Sequence, residues 1–337
     1  MKIKIIAAFL FSMVVSTFVT AQPAKPELKF GKNGRFKIMQ VTDTHYNALE
    51  NAGSTQEFLR EAIRLVQPDL IMLTGDIVVS ENTRRGWQEI AGLLTGFRIP
   101  WAVVLGNHDS EYELTNKQII ELLSEYPDNL TENGPEDITG NGNYVLPVIS
   151  STHPDRTAAS LYCFDTRKQH EWIDYTQMDW YRQQSRRLAG QNGGKPLPAL
   201  AFYHVPVPEY NEVIGKPTTV GLQQETVCCP TSNSGSFVAM YECGDVMGIF
   251  VGHDHDNNYI GCLHGICLAY GFKSGRQSYG KIGRGVRVIE LCEGERKFNT
   301  HLLHLYDCNR DEGTWTPVRP AATLFPVTFP DSFAEKK

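Results

Sequence analysis

Cysteine is missing from the first 162 residues of this 337-residue chain; all eight, Cys163, Cys228, Cys229, Cys243, Cys262, Cys267, Cys292 and Cys308, come later. None of their spacings makes a paired C-x-x-C framework, which excludes a zinc-ribbon type of fold. Positive charge is scarce as well: 32 Lys and Arg stand against 38 Asp and Glu, a net charge of −6. No nucleic-acid partner held by broad phosphate neutralisation is therefore expected. A small phosphorylated substrate stays open, because a metal ion can supply positive charge locally. Beyond the N-terminus no apolar run is long enough to cross a bilayer. There is no internal repeat and no strong linker, so residues 22–337 are expected to form one domain. A core of that size needs no disulfide for stability.

The N-terminus itself has the layout of a secretory signal peptide over residues 1–21. Lys2 and Lys4 precede an apolar run from Ile5 to Val19, and Val19-Thr20-Ala21 offers small residues before Gln22. The run is short for a span of about 20 apolar residues, and no cysteine follows it for a lipid. The expectation is an exported protein, periplasmic or secreted, with no stable membrane anchor. In an oxidising compartment some cysteines can pair. The candidate pairs are Cys262 with Cys267, Cys292 with Cys308, and one of Cys228 or Cys229 with Cys243. Cys163, in the run Leu161-Tyr162-Cys163-Phe164, reads as a small buried residue.

Hydrophobic patterning predicts strands at Phe36–Val41, Leu70–Leu73 and Trp101–Leu105, separated by helices at Thr55–Val66 and Gly86–Leu94, with a further helix at Asn116–Leu123. This rhythm implies right-handed crossovers and a largely parallel sheet. Residues 125–158 read as an insertion with a strand at Tyr144–Val148. Strands at Ser160–Asp165, Ala199–Tyr203 and Val246–Val251 follow, with helices at Gln177–Leu188 and Ser236–Cys243. Short strands are expected at Ile266–Tyr270, Val286–Leu291 and Phe298–Leu305. The Pro-rich tail, about 314–337, reads as an extended strap.

Five short motifs each follow a predicted strand: Asp43-Thr44-His45, Gly75-Asp76, Gly106-Asn107-His108-Asp109, His204, and Gly252-His253-Asp254-His255. Strand carboxyl ends form the ligand crevice of an open α/β sheet. In extended backbone, residues two apart project to one side, so D-x-H and H-x-H would each aim two side chains at one point. Each motif alone is a weak signal; a lone His or a Gly-Asp turn is commonplace. All five together, in order and at strand ends, point to a metal site.

That set resembles the calcineurin-like metallophosphoesterase superfamily, from about Phe36 to Leu291. The resemblance implies an α/β fold, a four-layer α/β/β/α sandwich. It also implies a site for two transition-metal ions, with Mn, Fe, Zn, Co and Ni all suited to the mixed ligands. Asp43, His45 and His255 would hold the first, Asn107, His204 and His253 the second, and Asp76 would bridge them. Such an enzyme hydrolyses a phosphoric ester, a bridging hydroxide attacking phosphorus. His108 would then be the general acid, with Asp109 holding its imidazole. Asp254 would face away from the ions. Around Gly252–Tyr259 and Arg284–Val288 the chain is similar to a purple-acid-phosphatase-like branch. True purple enzymes carry a metal-binding tyrosine three residues after the Gly-Asp aspartate; Val79 stands there, so no tyrosinate-bound iron is expected.

Substrate contacts are sought in Arg276 and Tyr279, and in Tyr46, Asn47 and Lys281 near motif ends. Trp172, Tyr175 and Trp180 are cleft candidates, although Trp180 suits the core. Gly271–Gly285 has five glycines without phosphate-loop or dinucleotide spacing and reads as a mobile rim loop. The leading expectation is a phosphomonoester hydrolase acting on a small phosphorylated substrate. The alternatives are a phosphodiesterase on the same site, a metal-binding scaffold without activity, and a metal-dependent amide or ester hydrolase.

Overall fold

A computed structural model describes residues 25–50, 52–168, 171–309, 314–318 and 325–328. The expected signal peptide lies outside the described residues. The first part of the chain runs β1 (Leu28–Lys29), β2 (Arg35–Val41), α1 (Ala52–Val66), β3 (Leu70–Thr74), α2 (Thr83–Thr95), β4 (Trp101–Val104) and α3 (Asn116–Leu123). Then come β5 (Tyr144–Ile149), β6 (Thr157–Cys163), α4 (Tyr175–Gln191), β7 (Ala199–Phe202), α5 (Tyr210–Val213), α6 (Ser236–Cys243) and β8 (Val246–Val251). The last strands are β9 (Ile260–Leu263), β10 (Ile266–Tyr270), β11 (Arg284–Cys292), β12 (Lys297–Asn309), β13 (Thr314–Pro317) and β14 (Phe325–Thr328).

One sheet has the order β1-β5-β6-β7-β8-β10-β9, the other β13-β12-β11-β2-β3-β4, with β14 also on β12. Alternation along each strand divides its side chains between two layers. Ile38, Met72 and Val104 face inward to meet Leu161, Phe202 and Phe250 of the opposite sheet. Met39, Val41 and Leu73 face outward and are covered by Phe58 and Leu59 of α1, Trp87 of α2 and Ile119 of α3. On the other outer face Ala201, Ile249 and Val251 pack under Met178 and Tyr181 of α4 and Phe237 and Met240 of α6. The result is the four-layer α/β/β/α sandwich. Buried on both faces, the central strands need the unbroken apolar runs seen in the sequence.

Among the named strands, the parallel pairs are β2-β3-β4, β6-β7-β8-β10 and β1-β5. The sheets are therefore mixed rather than largely parallel. Short turns force antiparallel partners where the chain doubles back, as in β9–β10, whose two turn residues His264 and Gly265 both have positive φ. The tail is more than a strap, since β13 and β14 both pair with β12.

The β9–β10 register sets Cys262 opposite Cys267, and the two are joined by a disulfide. The other candidate pairs fail on placement. Leu291 pairs with Phe298 and Arg284 with Tyr306, so Cys292 and Cys308 lie at opposite ends of the β11–β12 ladder. Cys243 is unpaired beside Ser185 and Tyr181. Cys163 is fully buried. Among the described residues no helix is long and apolar enough to cross a membrane.

Trp87 is fully buried where α2 covers the β2-β3-β4 sheet. Trp87→Ala is expected to lower the unfolding free energy by roughly 3–5 kcal/mol in a urea titration. A loss within experimental error would contradict that place in the core.

Candidate metal centre

The carboxyl ends of β2, β3, β4, β7 and β8 all open onto one edge of the sandwich, and each is followed by one of the five motifs. Gln40 ties the two sheets there: its buried amide donates to the Val251 carbonyl at 3.0 Å and to Thr74 Oγ1 at 2.9 Å. Thr42 donates to the Thr74 carbonyl at 3.0 Å and to Asp43 Oδ2 at 2.7 Å, fixing that carboxylate. The His253 N–H donates to both Asp43 oxygens at 3.2 Å.

The motif backbones are not extended. Asp43, His45, Asp76 and His253 have φ of 51°, 44°, 51° and 78°, half of the eight non-glycine residues with positive φ among the described residues. The paired side chains of D-x-H thus converge through left-handed turns and not through strand alternation. Such conformations cost of order 1–3 kcal/mol each and persist where surrounding contacts over-determine them. Gly75 (φ 88°) is required twice over, because a Cβ there would also collide with the His204 ring. A Cβ on Gly106 would run into the Asp76 carboxylate.

Two groups result. Ligand-type atoms of Asp43, His45 and His255 lie within 4.8 Å of one another, as do those of Asp76, His204 and His253. Asp76 Oδ2 sits between them, 3.1 Å from His204 Nε2 and 3.7 Å from His45 Nε2. His255 Nε2 is 3.2 Å from Asp43 Oδ1. His204 Nδ1 donates to the Thr74 carbonyl at 2.8 Å. That bond orients the ring so that its Nε2 faces Asp76.

Electrostatics and unmet hydrogen bonding both fit a cation. His45 Nε2, His253 Nε2, His255 Nδ1 and Asn107 Oδ1 are buried without a hydrogen-bond partner. Such a cluster of orphaned polar atoms is costly unless something else satisfies it. Burial pushes the His45 ring down to about 4 and the His253 ring to about 3, leaving them neutral. Burial works the same way on His204, but the Asp76 carboxylate outweighs it and lifts that ring to about 10. Burial opposes ionisation of Asp76 too, yet the His204 and His45 rings hold its carboxyl far below the usual range. The pocket draws a positive charge, and its imidazole and carboxylate donors are those of transition-metal sites.

A profile of the calcineurin-like phosphoesterase family matches residues 36–257. The chain belongs to that family. "Probable inactive purple acid phosphatase 29" of Arabidopsis thaliana is 31% identical over 80% of this phosphoesterase-family chain and 80% of its own length. "Phosphatase DCR2" of Saccharomyces cerevisiae is 26% identical over 79% of the chain and 53% of its own length. In fold the chain is similar to a dimetal phosphatase from Danio rerio (TM-score 0.56, 13% identity, covering 88% of this chain and 99% of that one). It is also similar to the purple acid phosphatase PPD1 from yellow lupin, with TM-score 0.53 and 9% identity, covering 91% of this chain and 56% of that one.

Within the candidate site two residues part company. His108 is the more exposed, its ring 5.6 Å from that of His45, and its backbone N–H donates to Asp76 Oδ1 at 2.9 Å. Asp109 does not hold His108. Its fully buried carboxylate accepts the N–H groups of Asp76, Ile77, Val78 and Gly106 at 2.8–2.9 Å. The partner of His108 Nδ1 is instead Glu111 Oε1, at 2.7 Å. Burial and the nearby Asp76 push the Asp109 carboxyl up to about 7, while the N–H donors of Gly106 and Val78 pull the other way. Asp254 faces Tyr270, whose hydroxyl donates to it at 2.5 Å, and the Cys228 N–H at 3.1 Å. Cys228, unsuspected from sequence, comes within 4.8 Å of His253 and Asp254 through its sulfur.

The substrate candidates divide as well. The Tyr279 ring stacks on His255 with centroids 4.0 Å apart, and its hydroxyl donates to Glu225 at 2.8 Å. Arg276 is exposed on the same loop. Tyr46 points into the core, where its hydroxyl meets Glu89 and Gln56. Asn47 braces its own loop through Leu49 and Ser80, and Lys281 is exposed. Trp180 packs on Phe164, while Trp172 and Tyr175 are exposed at the start of α4. Residues 271–275 are a wall rather than a mobile rim. They are buried and docked on the Asp43 loop by Ser274 N–H to Thr42 O (2.8 Å) and Gly275 N–H to Asp43 O (3.2 Å). Lys273, buried in that wall, donates to the Tyr279 carbonyl at 2.6 Å. Nothing in its glycine-rich surroundings marks it in the sequence.

Asp109→Ala is expected to leave four buried N–H groups without an acceptor. The result should be a stability loss of several kcal/mol together with loss of bound metal, read by thermal unfolding and by metal analysis. An unchanged melting temperature and metal content would refute the loop-anchoring role. Gly75→Ala should displace the His204 ring and lower the metal stoichiometry; full occupancy would show that the close approach is dispensable.

Proposed function

We propose that this protein is a metal-dependent phosphomonoesterase whose centre is assembled from Asp43, His45, Asp76, Asn107, His204, His253 and His255. The observation that carries the reading is the position of Asp76 Oδ2 between the two histidine groups, 3.1 Å from His204 Nε2 and 3.7 Å from His45 Nε2. Asp43, His45 and His255 form one ligand set. His204, His253 and the orphaned Asn107 Oδ1 form the other, and Asp76 serves both. Two ions held there would neutralise phosphoryl oxygens and lower the pKa of water enough to give a nucleophile at neutral pH; Mn, Fe, Zn, Co and Ni all suit the donors.

The chain's own groups supply the rest. His108 stands at the open side of the centre and is placed to protonate the leaving alkoxide. Glu111 Oε1 lies 2.7 Å from its Nδ1 and orients the ring. This replaces Asp109, whose carboxylate is committed to the loops. Tyr279 roofs His255, and Arg276 on the same loop offers a guanidinium for a phosphate oxygen. Export to a periplasmic or external compartment is supported by the Lys2–Ala21 leader pattern.

The name of the Arabidopsis relative raises a scaffold without turnover as the second reading. The complete ligand set and the His108–Glu111 pair favour activity. A third, phosphodiester hydrolysis, would use the same centre.

Turnover of p-nitrophenyl phosphate should exceed that of its bis ester on protein of known metal content. The reverse preference would establish a diesterase, and no turnover with metal bound would establish the scaffold. His108→Ala should slow hydrolysis of alkyl phosphates by roughly 10²–10⁴-fold and of activated aryl phosphates far less, with Glu111→Gln intermediate. Equal losses on both substrates would remove His108 as the acid.

A further inference from the structure

At one end of the layer between the sheets the apolar packing stops short and leaves a cavity of about 280 Å³. Ile260, Phe272, Ile282 and Leu302 line it, and Val220 and Leu222, 44% and 46% exposed, stand at its mouth. Its one fully charged wall residue is Arg287. On β11, Arg287 shares a face with Ile289 and Leu291, both members of the inter-sheet core, so its guanidinium projects into that layer. It is 2% exposed.

A guanidinium this deeply buried is ordinarily paired with a carboxylate. Arg287 is not. Its Nε donates to the Tyr270 carbonyl (2.6 Å), Nη1 to Thr300 Oγ1 (3.1 Å) and Nη2 to the Asn258 carbonyl (2.9 Å). All three acceptors are neutral, and among the described residues no carboxylate forms an ion pair with it. Of its five N–H donors, three are used by these bonds and two have no acceptor among the described residues. Burial lowers its pKa only to about 9, so the charge persists at neutral pH. An apolar pocket with an uncompensated cation at its wall is complementary to an anion on a short hydrocarbon. Water would leave the walls unsatisfied, and a neutral hydrocarbon would leave the charge so.

We propose that this cavity is a binding site for a small apolar anion, of the aliphatic carboxylate class, with Arg287 as its charge partner. The volume lies just below the usual range of ligand pockets, roughly 300–1,000 Å³, which favours a medium-chain acid over a long-chain lipid. A carboxylate can use both spare N–H groups at once. None of the residues placed in the metal centre lines the cavity, so this inference stands apart from the phosphoesterase reading.

The test is calorimetric titration of the full chain with octanoate and, separately, octan-1-ol. Octanoate should bind saturably with a stoichiometry of one, and octan-1-ol at least tenfold more weakly. Leu302→Trp, which fills the cavity, should abolish octanoate binding while metal content and melting temperature are retained. Arg287→Met should erase the preference for octanoate over octanol. Should that variant not fold, the Leu302→Trp result and the octanoate-to-octanol ratio decide alone. No saturable binding, equal binding of the acid and the alcohol, or binding indifferent to Leu302→Trp would each overturn the proposal.

Discussion

The Asp109 carboxylate is the interaction on which the rest of the metal centre depends. It gathers N–H groups from Asp76, Ile77 and Val78 after β3 and from Gly106 after β4. Two adjacent loops thereby become one rigid body. The same clamp brings the His108 N–H onto Asp76 Oδ1 and so fixes the carboxylate that both histidine groups share. A buried carboxylate is costly by itself, and four N–H donors offset that cost while satisfying backbone groups that would otherwise be orphaned. The positive φ at Asp76 is stable because the peptides that follow it are held in this way.

Much of this was legible in the sequence, and the reason is periodicity. Apolar runs flanked by helical spacing located the strands that carry the motifs, and loops at strand ends carry chemistry in α/β folds. All seven expected ligand residues sit on such loops. What failed was inference from adjacency. Asp109 follows His108 directly, yet the turn carries its side chain inward, and Glu111, three residues on from His108, meets the imidazole. The D-x-H spacing was read with strand geometry, whereas left-handed turns were in force. Cys292 and Cys308 look near in sequence, but antiparallel pairing of a long hairpin sends them to opposite ends. Residues 271–275 lacked any helical or strand period, so their burial against the Asp43 loop had no sequence signal.

The glycines explain why the site is compact. Gly75 and Gly106 lie where the His204 ring and the Asp76 carboxylate would meet a Cβ. Each loop can approach its neighbour only because one residue in it has no side chain. Removing that room would move ligand atoms by the width of a methyl group, a large fraction of the distances that define the two groups. The sandwich supplies the frame and Gln40 joins its halves, but the last ångström is set by absent side chains.

The two sheets treat buried charge in opposite ways at the two places where it occurs near β10. At the metal centre, Asp43 and Asp76 sit among buried imidazoles, several with an unpartnered ring nitrogen, a pocket that suits cations. At the edge of the inter-sheet core, Arg287 is held by two neutral carbonyls and a threonine hydroxyl, a positive wall that suits an anion. Tyr270 touches both: its carbonyl accepts from Arg287 and its hydroxyl donates to Asp254 beside His253. β10 is thus held at its carboxyl end from two sides, by groups of opposite charge. A fold needing only stability would have filled both positions with apolar side chains, since buried ions rarely stabilise. On the two proposals, both positions serve a ligand rather than stability.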